Sequence, residues 1–300
     1  MSRYAIFLTA IVTLLGIAPA FAEQKLDVVA TFSILGDFVQ NVGGDRVSLN
    51  TLVGPNGNTH VYTPSPTDAR KLADAKVIFV NGLGLEGWLD RLIQASGTKA
   101  PIIVATKGIK PRDDAGKAND DEGHGRIDPH AWQSVGNAKT YVENIRSALV
   151  AADPQNKTTY EANALAYLAR LDQLDHDVRS TLSGIPSDRR LIVTSHRAFG
   201  YFEQAYDIKF ASPQGLSTEA EPSAKGMASI ITSIKQSKAP AVFLENITDP
   251  RLMQQIASET GVRIGGTLYS DALTDEKGDA PTYIDLIRHN LKRLASALSN

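Results

Sequence analysis

"KVIFVNGLGLEGWLDRLIQASGTKAPIIVAT", residues 76–106, holds one full repeat of the fold. Val77 to Val80 is a short, unbroken apolar run with Asn81-Gly82 behind it, the pattern of a strand buried on both faces. "EGWLDRLIQA" follows with apolar residues at three- and four-residue steps, which predicts an amphipathic helix. "APIIVAT" then reads as a second strand. A strand, a helix and a strand in this order form a crossover unit, so the two strands run parallel and the helix covers the sheet.

The same alternation extends outward in both directions. Upstream lie "LDVVATF", a helical spacing from Ile34 to Val42, the strand "RVSLNTLV", and "PSPTDARKLADA", a helix for which Thr67 is expected to be the cap before Asp68. Downstream, Val135 to Ala152 reads as a helix stopped by Asp153-Pro154. From Gln155 to Ser183 one apolar stripe follows, through Leu165, Leu168, Leu171, Leu174, Val178 and Leu182. At 1.5 Å per residue this is a helix about 40 Å long, with no strand to interrupt it. The alternation then resumes with "LIVTS", "AFGYFEQAY", "IKF", "SAKGMASIITSIKQS", "APAVFLEN", "DPRLMQQIASETG" ending at Gly261, "VRIGGTLYS" and "PTYIDLIRHNLKRLASAL". The expected class is α/β: two lobes, each a mostly parallel sheet flanked by helices, joined by one long rigid helix. The expected divisions are 1–22, 23–152, 153–184 and 185–300.

Bulk composition narrows the function. Basic and acidic residues number 31 and 33, so no overall field points to nucleic acid or an anionic membrane. Residues 1–22 carry one early charge, Arg3, then the apolar run "AIFLTAIVTLLGI" and Ala20-Phe21-Ala22, the pattern of a cleavable secretory signal cut between Ala22 and Glu23. Cysteine is absent, which rules out thiolate metal ligands and leaves no cysteine near the signal for a lipid anchor. A freely diffusing periplasmic protein is expected. Lys107 to Arg126, "KGIKPRDDAGKANDDEGHGR", has almost nothing apolar to bury and reads as a mobile surface loop.

The six histidines separate by context. His176 and His289 lie among charged residues on helical stretches and are expected on the solvated surface. His124 sits in the acidic loop. His60 in "GPNGNTHVYTPSP", His130 in "DPHAW" and His196 directly after "LIVTS" occupy loops, two of them following strands, and Asp271 directly follows "TLYS". Ligands of open parallel sheets collect beyond the carboxyl ends of the strands. Singly, each histidine is better explained by a core or capping role than by a ligand role; together, three imidazoles and a carboxylate favour a metal site. Spacing alone does not identify the set.

"GPNGNTHVYTPSPTDARKLADAKVIFVNGLGLEGWL", "DPHAW", "SHRAFGYF", "STEAEPSAK" and "LYSDAL" together resemble the metal-specific solute-binding proteins of ABC importers, the zinc and manganese group, from Leu26 to the end of the chain. The resemblance implies one ion held between two lobes by His60 and His130 from the first and His196 and Asp271 from the second. It also implies a permease in the inner membrane as partner. Manganese-type relatives place a glutamate where this chain has His196. Three neutral imidazoles and a carboxylate suit tetrahedral Zn2+, whereas an oxygen-richer site suits manganese.

The expected function is therefore non-enzymatic: a monomer that captures zinc in the periplasm and delivers it to the importer, with a periplasmic metallochaperone as a further candidate partner. A manganese-specific binder is the alternative within the family. A zinc hydrolase is the alternative outside it, weakened by the lack of an HExxH motif and of a base tied to the site. Glu245 in "VFLENITDP" is expected to cap or pair, with contact to a ligand histidine as the alternative; Glu221 is expected to start a helix or shape a loop; His124 is expected in a plain solvated loop, with weak zinc collection as the alternative.

Overall fold

The computed structural model describes residues 24–114, 127–237 and 239–299. The expected signal segment, His124 and the part of the acidic loop from 115 to 126 lie outside the described residues. The chain opens with strand β1 (Leu26–Phe32), helix α1 (Ser33–Gly43), β2 (Val47–Val53), α2 (Pro66–Asp74), β3 (Val77–Val80), α3 (Leu89–Ser96) and β4 (Ile102–Val104). These strands form one parallel sheet in the order β2-β1-β3-β4. Val28 to Ala30 and Val77 to Phe79, the central pairing, are buried throughout. This is why β1 and β3 read as apolar runs and not as alternating strands.

Two short strands, β5 (Arg112–Asp113) and β6 (Ile127–Asp128), pair antiparallel beside this sheet. Helices α4 (Val135–Ala152) and α5 (Lys157–Ser183) follow. The second lobe contains β7 (Leu191–Val193), α6 (Gly200–Tyr206), β8 (Lys209–Ala211), α7 (Ala224–Ser237), β9 (Val242–Glu245), α8 (Arg251–Thr260), β10 (Ile264–Leu268) and α9 (Tyr283–Ser299). Its sheet is also parallel, in the order β10-β9-β7-β8. Helix α8 closes at Gly261, whose φ of 72° is the left-handed conformation that glycine adopts without steric cost.

Two expectations need correction. The cap of α2 is Ser65, not Thr67: Pro66 takes the first helical turn, where its missing N–H costs nothing, and Asp68 closes a reciprocal capping box on Ser65. Thr67 instead accepts from Arg70 Nη2 at 2.8 Å. The buried stripe of α5 runs through Tyr160, Ala164, Tyr167, Leu171, Leu174, Val178 and Leu182, and Leu165 is 71% exposed. The helix packs along α4, α1 and α9.

One hydrophobic core extends from the first sheet through α4, α5 and α9 to Ile192, Phe243 and Leu268 of the second. A smaller cluster, with Val193, Ile230, Ile234, Met253 and Ile256, packs β7 and β9 of the second lobe with α7 and α8. The lobes thus share apolar packing as well as a connecting helix. Among the described residues no helix is long and apolar enough to cross a membrane.

Candidate metal centre

His60 lies in the loop after β2. Its backbone N–H donates to Asn58 Oδ1 at 3.0 Å, and Trp88 Nε1 donates to the Thr59 carbonyl at 2.8 Å. His130 comes two residues after Asp128, the last residue of β6. Asn81, just past β3, donates from Nδ2 to the Pro129 carbonyl at 2.9 Å. His196 lies beyond β7, its carbonyl accepting from Thr194 Oγ1 at 3.1 Å and Ser212 Oγ at 2.9 Å. Asp271 lies beyond β10 and is positioned from across the lobes: the preceding carbonyl, of Ser270, accepts from Trp132 Nε1 at 2.9 Å and Gln133 Nε2 at 2.7 Å. Trp132 of "DPHAW" therefore ties the His130 turn to the Asp271 loop.

These four side chains meet. His60 Nε2 is 3.2 Å from His130 Nε2, and Asp271 Oδ2 is 3.2 Å from the Nε2 atoms of His60 and His196 and 3.7 Å from that of His130. One ligand atom from each residue falls within 4.8 Å of all the others. The side chains of His130, His196 and Asp271 are wholly buried, and that of His60 is 4% exposed. Neither oxygen of Asp271, neither ring nitrogen of His196, nor Oε2 of Glu245 has a well-angled hydrogen bond. Buried polar atoms converging without such bonds are costly unless a cation satisfies them together.

Two further carboxylates stand behind the rings. Asp128 Oδ1 accepts from the His130 backbone N–H at 2.9 Å and lies 2.8 Å from its Nδ1. Glu245, at the end of β9, accepts the His196 backbone N–H on Oε1 at 2.9 Å and sets Oε2 2.6 Å from Nδ1. A carboxylate against Nδ1 keeps that nitrogen protonated and turns the Nε2 lone pair toward the cluster.

The electrostatics follow from this crowding. Burial pulls the His196 pKa down, but Glu245 and Asp271 outweigh it and push the ring up to about 10. His130 is raised in the same way, against burial, by Asp271 and Asp128. His60 is lowered, chiefly by desolvation. Asp271 is held well below the usual carboxylate range because His196 and His130 overcome its desolvation. The site is built for positive charge.

Glu245, for which capping or local pairing was the other reading, lies against His196. Asp128 was not expected; the only sequence signal was its place two residues before His130. His176 is exposed, as expected, and Glu221 lies exposed just before α7. His289 departs from its expected solvated position: it is 11% exposed by side chain, with Nε2 3.0 Å from the Thr267 carbonyl and its ring 4.6 Å from that of Tyr269. The cause is the packing of α9 on β10, which covers that face of the helix.

Residues 28–297 match the family described as "Zinc-uptake complex component A periplasmic". The chain is 36% identical over 277 residues to the iron-binding protein YfeA of Yersinia pestis, covering 92% of this chain and 88% of that one. It is also 36% identical over 276 residues to the manganese-binding lipoprotein MntA of Halalkalibacterium halodurans, covering 92% and 89%. Among solved structures it resembles the periplasmic zinc-binding protein TroA of Treponema pallidum, with a TM-score of 0.84, 30% identity, and 92% and 99% of the two chains covered.

Proposed function

The chain belongs to the periplasmic zinc-uptake component A family, the metal-binding components of ABC importers, and from that premise we propose that it captures Zn2+ through His60, His130, His196 and Asp271 and delivers it to its permease. It is a binding protein, not an enzyme. The observation that carries the ligand assignment is the position of Asp271 Oδ2, 3.2 to 3.7 Å from three imidazole nitrogens contributed by both lobes.

The donor set supports zinc. Four ligands at the tetrahedral corners, with bonds of about 2.0 to 2.2 Å, lie about 3.3 to 3.6 Å apart. Four of the six Nε2 and Oδ2 separations, 3.2, 3.2, 3.2 and 3.7 Å, lie near that spacing, and all six are within 4.8 Å. Manganese is the second reading, favoured by the resemblance to a manganese-binding relative. Against it, three nitrogen donors and one carboxylate form a poor set for a hard cation.

In this reading residues 1–22 direct export and are removed, 23–152 and 185–300 are the two capturing lobes, and 153–184 joins them. The protein acts as a monomer, and a periplasmic metallochaperone would load it.

The test is metal content after purification without chelator, followed by titration against a competing chelator. One zinc per chain is expected. His130→Ala and His196→Ala should each weaken binding more than a hundredfold, roughly the loss of one of four bonds to the ion, and His176→Ala should bind as the native chain does. Manganese retained in preference to zinc would establish the second reading. Equal effects from all three substitutions would remove the ligand assignment.

A further inference from the structure

A short strap of the first lobe, Arg112 to Asp114, is fastened to the second lobe beside the metal centre. The Arg112 backbone N–H donates to Tyr201 Oη at 2.9 Å, and its Nη2 reaches Glu203 Oε2 at 3.3 Å; both partners are on α6. Asp114 pairs with Arg197, the residue after His196. Arg112 also faces inward: its Nη1 donates to Asp128 Oδ2 at 3.1 Å, and Asp128 is wholly buried. The other oxygen of that carboxylate holds the backbone and ring of His130. Asp128 thus stands between an imidazole and a guanidinium, and the guanidinium extends into the other lobe.

The start of α6 is shaped for this contact. A side-chain carbon on Gly200 would collide with Arg112 Nη1 and Asp128 Oδ2. Glu203 is anchored in turn, since its Oε1 accepts the Phe210 N–H at 2.7 Å. An exposed ion pair contributes little, but here the acceptor is buried and would otherwise leave Oδ2 without its charged donor.

We infer that Arg112 is a positioning residue of the ion site: it clamps Asp128 against Gly200 and Glu203 of α6 and so holds the His130 ring in register with the ligands of the second lobe. The inference rests on the proposed ligand set and adds to it a coupling between the lobes that is present before an ion arrives. Partners of ligand histidines typically change metal affinity 10- to 100-fold. Arg112 acts one step further out, so the lower end of that range applies.

The experiment is a double-mutant cycle on Zn2+ affinity by chelator competition, paired with 15N spectra of histidine-labelled, metal-free protein. Arg112→Met should weaken zinc binding about tenfold, and Asp128→Asn by at least as much. The double variant should bind no more weakly than Asp128→Asn, because both changes cut one path. In the metal-free spectra the His130 ring signals should move in Arg112→Met while those of exposed His176 stay in place. Unchanged affinity with an unmoved His130 signal, or losses that multiply in the double variant, would overturn the inference. If Arg112→Met does not fold, Glu203→Gln removes the charge that anchors Arg112 Nη2 while an amide oxygen still accepts the Phe210 N–H, and it must give a loss of affinity and a His130 ring shift in the same direction. Native protein that takes up no zinc would refute the ion assignment, and the metal-free spectra would still decide on the clamp.

Discussion

Glu245 ends β9 with its carboxylate turned onto His196, bonded to the backbone N–H and set 2.6 Å from Nδ1. A carboxylate at that distance favours the tautomer with the proton on Nδ1 and leaves the Nε2 lone pair free to bind an ion. A glutamine can instead present its amide N–H to Nδ1, which favours the tautomer with the proton on Nε2, facing the ion. Glu245→Gln should therefore weaken zinc binding 10- to 100-fold in chelator competition while the circular dichroism spectrum and melting curve stay close to native. Retained affinity would mean that Glu245 does not set the His196 tautomer. Three of the four converging residues follow strand ends that apolar runs locate, which made them candidates; His130 and the set as a whole were legible only through the motifs that carry the family resemblance. The strand end also marked Glu245 as a candidate, but left capping or pairing as the expected role. Asp128 was not legible, because an aspartate two residues before a backbone N–H is the pattern of an ordinary Asx turn. It forms that turn with His130 and uses the same oxygen on the ring.

At the scale of elements, α5 shows how far periodicity can be read. Its C-terminal half buries Leu171, Leu174, Val178 and Leu182, the expected residues. In its N-terminal half Tyr160, Ala164 and Tyr167 take the inward face, Leu165 is exposed, and Leu168 packs only partly buried against the same core. Phe38 of α1 explains this, its ring lying 6.4 Å from that of Tyr167, while Tyr160 Oη donates to Asp153 Oδ2 at 2.7 Å. A hydropathy pattern cannot rank a tyrosine with a buried partner above a leucine with none. Leu171→Ala should cost about 2 to 5 kcal/mol in denaturant unfolding of the metal-free chain, whereas Leu165→Ala should stay within about 0.5 kcal/mol. Comparable losses at both positions would show that the buried face of α5 is misassigned. The β5–β6 pair escaped the sequence reading for a simpler reason: two residues per strand are too few to show alternation.

Across the whole molecule, one carboxylate joins helices far apart in the chain. Asp37 of α1 accepts on Oδ2 from Tyr167 Oη of α5 at 3.2 Å and from the Tyr283 N–H at the start of α9 at 3.1 Å; Asn41 Nδ2 donates to Oδ1 at 3.1 Å. Desolvation at this junction pushes its pKa up to about 6, although those bonds and the Arg170 charge oppose it. The native state therefore holds a proton on Asp37 over a range where the unfolded chain, titrating near 3.8, has lost it. Stability falls with pH wherever the native state binds more protons. The contribution of Asp37 is thus greatest below about pH 4, declines toward pH 6 and is flat above. Asparagine removes the charge and keeps an acceptor for Tyr167 and Tyr283. Between pH 4 and pH 7 the stability of Asp37→Asn relative to the native chain should rise by up to about 3 kcal/mol, at 1.36 kcal/mol per pKa unit. Urea unfolding of both metal-free proteins across that range measures the difference directly, and the titrations of the histidines cancel between the two chains. A difference that stays constant with pH would show that Asp37 is ionised in the folded protein throughout. The junction of the first lobe, the long helix and the C-terminal helix would then be held by a charged carboxylate and would not loosen as the pH rises.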